Sequence, residues 1–472
     1  MLPSLPTKAV AIAGSLAAAG ATLCCKEVAP PLPQVTVAGV SPANGPLAGG
    51  TSVAITGTNF VDVTSITLGG NELGNRVVVS ATEVSGTTPA STSSGAKDVV
   101  VTSGSHGSGT CSGCFSYVLA PALAAVVAAG GWHVCAVANT GAAYCWGFNT
   151  TGQLGNGSFA NSSVPVAVSG GLSFSALVAG AYHTCGLTSS EAAHCWGYNF
   201  FGQLGNGSTT DSSLPVAVSG GVTFAALTAG YFHTCGLTSA GAAYCWGANS
   251  LGQLGDGSTT NSSTPAAVSG GLTFSALVAG AYHTCGLTSA GAAYCWGHNY
   301  YGQLGDGSTT SSTTPVAVSG GMSFRTLAAG WFHTCGLTSA GTAYCWGRND
   351  AGQLGDGSTT DSATPVTVTG GLSFSAVAGG FLHSCGRTTA GAAYCWGYNY
   401  FGQLGNGALT NNSIPVAVSG GLSFSALSLG DVHTCGLASG GAVYCWGDNE
   451  RGQLGNGSTI NSSIPVAVSG WP

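Results

Sequence analysis

Cysteine and histidine are the residues of this chain whose types and spacing invite chemistry. Fourteen of the 18 cysteines form seven pairs at a ten-residue spacing: Cys135 with Cys145, Cys185 with Cys195, Cys235 with Cys245, Cys285 with Cys295, Cys335 with Cys345, Cys385 with Cys395 and Cys435 with Cys445. Each pair flanks a small-residue turn between two apolar runs. On neighbouring antiparallel strands the two residues would face each other about 4.5–5.5 Å apart at Cα, within reach of a disulfide. Zinc is the rival, but its paired ligands stand closer in sequence and need further partners. Structural disulfides are therefore expected, and they imply an oxidising compartment. Cys111 and Cys114 have the Cys-x-x-Cys spacing of a redox site. Lacking a strand-to-helix context, they read instead as a tight local disulfide.

Histidine recurs with equal regularity, at His133, His183, His233, His283, His333, His383 and His433, each followed by Gln153 or its six equivalents. A ring of metal ligands or bases is one reading. A catalyst rarely needs seven identical bases, so the expectation is a framework histidine that hydrogen-bonds loop backbone in every unit. Asp256, Asp306 and Asp356 alternate with Asn156, Asn206, Asn406 and Asn456 at one Gly-rich turn. That exchange suits turn geometry and argues against a calcium site, which needs carboxylate charge. Asp431, Asp448 and Glu450 are the candidates for paired-carboxylate work on a glycan, but they share one unit and show no division of roles. No catalytic residue, metal or cofactor is assigned.

The elements that must position these residues follow from repetition. Seven copies of a 50-residue unit run from about residue 123 to the end, with Trp146, Trp196, Trp246, Trp296, Trp346, Trp396 and Trp446 keeping the same step. Within a unit the alternating apolar runs predict four strands: Pro165–Val168, Phe174–Ala179, His183–Thr188 and Ala192–Trp196. Such a unit cannot bury a core alone and must stack on its neighbours. Four strands in each of seven units predict an all-β fold, a seven-bladed β-propeller over 119–472, with tryptophans packed between blades. The last repeat stops at Ser469-Gly-Trp-Pro472, short of a Phe-Ser-Ala-Leu strand. Pro121 to Gly130 sits in register with that strand and is expected to complete the final blade and close the ring.

Ahead of the repeats, residues 34–118 carry short β-rich runs broken by Gly and Pro, the pattern of a small β-sandwich. Residues 26–33 form a proline-rich spacer. Residues 1–25 read as an export signal, with Lys8 before the apolar stretch Ala9–Leu23 and a cleavage site at Ala-Gly-Ala, 19–21. Cys24 or Cys25 could instead carry a lipid anchor, the one membrane attachment considered. Charge is sparse, 8 Lys plus Arg against 15 Asp plus Glu, for a formal net −7. Nothing there grips a phosphate backbone, so nucleic acid is excluded as a partner. Disorder is excluded too, since 44% of residues are hydrophobic.

Two stretches resemble known families. Val40-Ser-Pro-Ala-Asn-Gly-Pro-Leu-Ala-Gly-Gly-Thr-Ser-Val-Ala-Ile-Thr-Gly-Thr-Asn-Phe60 resembles the opening of an IPT/TIG immunoglobulin-like domain. That family supplies spacers and binding modules on surface proteins. Ala-Gly-x-x-His-Thr-Cys followed by Cys-Trp-Gly-x-Asn-x-x-Gly-Gln-Leu-Gly-[Asp/Asn]-Gly resembles the regulator of chromosome condensation repeat, in a bacterial cysteine-containing form. The resemblance implies the propeller fold in all seven copies. It also offers nucleotide exchange on a GTPase, a partner that export puts out of reach, and the precedent of a bacterial propeller that covers β-lactamase active sites.

Positions that vary among the copies point to a site. The first set precedes each histidine and includes Trp132, Tyr182, Tyr231, Phe232, Tyr282, Trp331, Phe332 and Phe381. The second follows each Trp-Gly, with Tyr198, Arg348, Tyr398 and Asp448 among its members. The third follows the next Asn and includes Phe200, Phe201, Tyr300, Tyr301, Tyr400 and Phe401. All lie at one end of a hairpin, so seven blades would gather them on one face of the disc. An aromatic face with scattered charge suits recognition of a protein, or stacking on a glycan. The expectation is a non-enzymatic, exported and monomeric binding protein, with a glycan-active enzyme as the alternative.

Overall fold

The computed structural model describes residues 32–471, apart from 47–48, 94 and 119–123. The expected signal, Cys24, Cys25 and the start of Pro121–Gly130 lie outside the described residues. The chain divides into two compact units, 1–120 and 121–472.

The first unit is a β-sandwich of a four-stranded and a five-stranded sheet. Alternation places Val53 and Ile55 of the strand Ser52–Thr58 inward, against Ile66, Val99, Val101 and Phe115 from the opposite sheet. Cys111 and Cys114 are joined within the long strand Gly107–Val118.

The second unit consists of seven consecutive four-stranded antiparallel sheets. Blade 2 is representative: an inner strand Phe174–Ala179, a second His183–Thr188, a third Ala193–Gly197 and an outer Ser212–Ala217. The second strand is buried from His183 to Leu187, which explains its unbroken run of small and apolar residues. Its partner register sets Cys185 directly opposite Cys195, 4.0 Å apart at Cα, and all seven repeat pairs are bridged in this way. Each bridge closes a short hairpin loop and contributes roughly 2–3 kcal/mol.

The strand bookkeeping differs from the expectation by one strand. Pro165–Val168 does not join the blade of His183. It falls in the outer strand Ser162–Ala167, which pairs with the preceding hairpin, Tyr144 opposite Ala167 and Cys145 opposite Val166. Every blade is therefore one uninterrupted stretch of sequence. The segment Ala124–Ala129 opens blade 1, with Ala128 opposite Cys135, rather than completing blade 7. Blade 7 owns both its inner strand Phe424–Leu429 and its outer strand Ser462–Ala467.

The ring closes all the same, by side-to-side packing instead of a shared sheet. Ala129 N–H donates to Ser428 Oγ at 2.9 Å, and Trp146 Nε1 donates to the Gln453 carbonyl at 3.0 Å. Val134, Ala136 and Trp146 of blade 1 share a core with Leu437, Cys445 and Leu454 of blade 7. The same contact recurs at the other six interfaces, where each fully buried tryptophan donates to the glutamine carbonyl one blade earlier, as Trp196 does to Gln153. Gly155 and its equivalents lie under that indole. A Cβ at Gly155 would meet Trp196 Nε1 at 2.7 Å, and its φ of +67° is itself a glycine conformation.

Candidate binding face

The histidines form the frame beneath the face. Each is fully buried, but its partner is not loop backbone. His133 Nε2 lies 2.8 Å from Thr184 Oγ1 of the next blade, and Thr184 in turn donates to the Gln153 carbonyl at 2.9 Å. A hydroxyl has one proton; since Thr184 gives it to Gln153, the imidazole must be the donor at Nε2. The relay repeats at His183, His233, His283, His333 and His383. It fails once. Blade 1 carries Val134 at the position of Thr184, and neither ring nitrogen of His433 has a partner. Burial pushes all seven down, to about 4 for His333 and about 3 for the rest.

Above this frame the long loop between third and outer strands is tied together by one asparagine. Asn149 Nδ2 donates to the carbonyls of Ser158 and Ala160, both at 3.0 Å, while its Oδ1 accepts from Leu154 N–H at 2.9 Å. The turn position alternating between Asp and Asn serves the same loop: Asn156 Oδ1 and Asp256 Oδ1 both accept from the N–H two residues on. Sequence reasoning missed the Asn149 and Thr184 series as working residues. The asparagine recurs in all seven copies and a hydroxyl residue in six, with Val134 the exception, and that recurrence was the signal available.

Rings of the three variable sets form a network that crosses blades. Trp132 touches Phe148 and Tyr182 edge-on, both at 5.8 Å between centroids; Tyr182 contacts Tyr231 at 5.6 Å and stacks on Phe232 at 6.1 Å. Phe232 reaches Tyr198 and Phe201 at 5.7 and 5.0 Å. Tyr231 packs on Trp331 at 4.4 Å, and Trp331 on Phe381 at 4.1 Å. Tyr282, Phe332 and Tyr301 continue the series, with the Arg348 guanidinium 5.1 Å over Tyr301. Tyr398, Tyr400 and Phe401 make a separate cluster on blade 6. Most of these rings are half-buried by one another. Phe200, Tyr300 and Tyr400 instead stand out, 65%, 71% and 68% exposed.

The charges are more constrained than their spacing suggested. Arg348 pairs with Asp350 at 2.6 Å. Asp448 is buried and accepts from Gln453 Nε2 at 2.6 Å, which makes it a support for its own loop. Asp431 is buried at the mouth of the central channel, a cavity of about 150 Å³ lined by the ends of the inner strands, and accepts from Trp331 Nε1 at 2.8 Å. Burial pushes its carboxyl up to about 7. Only Glu450 of the three blade 7 carboxylates is exposed. Among the described residues no cluster of three or more His, Cys, Asp or Glu could hold a metal.

Comparison with known proteins agrees with this architecture. An IPT/TIG domain matches residues 36–118, an RCC1-like domain matches 92–385, and regulator of chromosome condensation repeats match within 374–472. No curated protein matches the sequence. Among solved structures, human WBSCR16 superposes with a TM-score of 0.64 at 21% identity, over 70% of this chain and 94% of its own. Prp20p from Saccharomyces cerevisiae does so with a TM-score of 0.59 at 22% identity, over 65% of this chain and 80% of its own. At these identities the likeness is one of fold. The RCC1-like match spans more than half of the chain, on repeats whose tryptophan, histidine and glutamine build every blade interface, and this protein accordingly belongs to the RCC1-like domain family.

Proposed function

We propose that this chain is an exported, non-enzymatic binding protein whose aromatic propeller face docks onto another protein, with the IPT/TIG domain as its spacer. One observation carries the reading: a ring network continuous over several blades, from which Phe200 and Tyr300 stand exposed, with Tyr400 equally exposed on its own blade 6 cluster. Large rings that are rigidly held and partly desolvated supply contact area at little entropic cost, the property of interface anchors. The buried, already engaged carboxylates of blade 7 supply no acid–base pair, which favours binding over glycan hydrolysis. Eight disulfides support an oxidising destination. Prp20p, a propeller of the same fold, has described binding properties toward Gsp1p and histones, so the scaffold can carry protein interfaces.

The test replaces Phe200, Tyr300 and Tyr400 with serine, the residue that blade 3 carries at the same position as Ser250. Partners captured from the surrounding medium and envelope by the wild-type protein should lose affinity by at least about 100-fold, given roughly 2 kcal/mol for each anchoring ring. Equal capture by both proteins rejects the face. Loss of binding on a glycan array, with protein capture unchanged, assigns the face to sugars instead.

A further inference from the structure

The rim of the propeller is two-sided, and this asymmetry has no part in the aromatic face. Among the described residues of the propeller ten large hydrophobic side chains stand exposed, and three of them are the raised rings already described. The other seven all sit on the outer edge of four adjacent blades: 6, 7, 1 and 2. Four occupy one position on the outer strands, where Ile414, Ile464, Val164 and Leu214 are 46%, 48%, 38% and 47% exposed. Blades 3, 4 and 5 carry threonine there, at Thr264, Thr314 and Thr364.

The remaining three fill the gaps between those strands. The loop of one blade hydrogen-bonds the outer strand of the next, through Gly407 N–H to the Ser463 carbonyl, Gly457 N–H to Ser163 and Gly157 N–H to Ser213, each at 2.9 Å. These loops carry Leu409, Ile460 and Phe159, which are 59%, 77% and 55% exposed. Loop and strand apolar side chains thus alternate along an arc of the rim that runs across the closure of the ring.

Charge changes with it. At the Gly-rich turn, blades 3, 4 and 5 carry Asp256, Asp306 and Asp356, and blade 5 adds Asp361. Blades 6, 7, 1 and 2 carry Asn406, Asn456, Asn156 and Asn206. Within the stretch 156–161 and its equivalents, Asp211 is the one acid on the apolar side, and it accepts from the Asn199 N–H at 2.7 Å. Turn geometry tolerates either residue, so the fold does not require this sorting. In a chain of net −7, a neutral apolar arc is where a second, equally acidic copy can approach without repulsion.

We infer that the arc over blades 6, 7, 1 and 2 is the interface of a homodimer, formed edge to edge about a two-fold axis. An apolar patch is complementary to itself, which is what a two-fold interface requires. Contact is through side chains rather than through added strand pairing. Every outer strand has a proline beside the apolar position, such as Pro165 or Pro465, which removes a backbone donor from the free edge. This replaces the monomer expected from sequence, and the rim contact leaves the aromatic face of both copies open.

Sedimentation velocity over a concentration series tests the inference on the full chain. The wild type should show a reversible monomer–dimer equilibrium. The fourfold variant Val164→Thr, Leu214→Thr, Ile414→Thr, Ile464→Thr should weaken it at least 100-fold with an unchanged melting temperature, because threonine is what blades 3 to 5 already carry. Hydrogen exchange of the wild type gives a second readout, in which protection of 159–164, 409–414 and 460–464 should rise with concentration. A monomer throughout, a variant that still dimerises, or concentration-dependent protection elsewhere would each overturn it. So would protection independent of concentration, which would assign the arc to an occupant within the chain, or a monomer that binds phosphatidylcholine vesicles through it. Failure of partner capture in the serine variant of the face leaves this result untouched, so the two readings fall separately.

Discussion

At the scale of single residues, the histidine ring decides how the protein responds to acid. Each of the seven imidazoles is buried, and six have their Nε2 proton committed to a hydroxyl of the next blade, so protonation must break that contact. The folded state holds these groups neutral down to about pH 3, whereas in the unfolded chain they titrate near their ordinary value. A depressed folded value means stability that is complete above about pH 6.5 and is lost as pH falls toward 3. Urea midpoints should therefore drop steeply across that window, with a histidine proton uptake on unfolding approaching seven, offset by the one proton that buried Asp431 releases. A flat profile from pH 7 to 4 would contradict the relay. The position of these histidines was legible in the sequence because seven copies repeat it. Their partner was not, because Thr184 lies 51 residues from His133 and a repeat pattern does not reveal which neighbouring unit a side chain enters.

At the scale of the blade, the interfaces are equivalent except at the seam. Six histidines meet a hydroxyl, while His433 has none, blade 1 carrying Val134 at the repeat position of that hydroxyl. Val134→Thr should supply the missing acceptor for His433 and donate to the Gln453 carbonyl, which already serves Trp146 as Gln153 serves Trp196. The expected gain is about 1 kcal/mol, read as a higher thermal midpoint. It should vanish in a His433→Ala background, which separates the relay from a general effect of threonine. Hairpin register was readable from the Cys-to-Cys spacing, and the structure places each pair directly opposite. Blade membership of the outer strand was not, since fourteen residues of irregular loop, 148–161 in blade 1, separate it from the third strand and either neighbour could claim it. Only the pairing of Tyr144 with Ala167 settles the matter.

For the whole molecule, the repeat number and the all-β architecture were plain from the sequence, and the variable aromatics it singled out do contact one another across blades. The manner of closure was not: it depends on how flanks pack, and Trp146 looks identical to its six counterparts. A closed ring makes the seam as costly to damage as any other interface. Trp146→Ala and Trp296→Ala should each destabilise by about 3–5 kcal/mol in chemical denaturation. An open stack would leave the first of these nearly silent. Because each blade is drawn from one unbroken run of sequence, blades can form one after another as the chain emerges. The contacts that wait for the end are those of blade 7 with blade 1, joined by bonds spanning 299 and 307 residues. Until the last residues arrive, a nascent chain presents two raw flanks with unfilled indole slots, and premature termination anywhere in the final blade yields an arc that sticks to its siblings or feeds a protease.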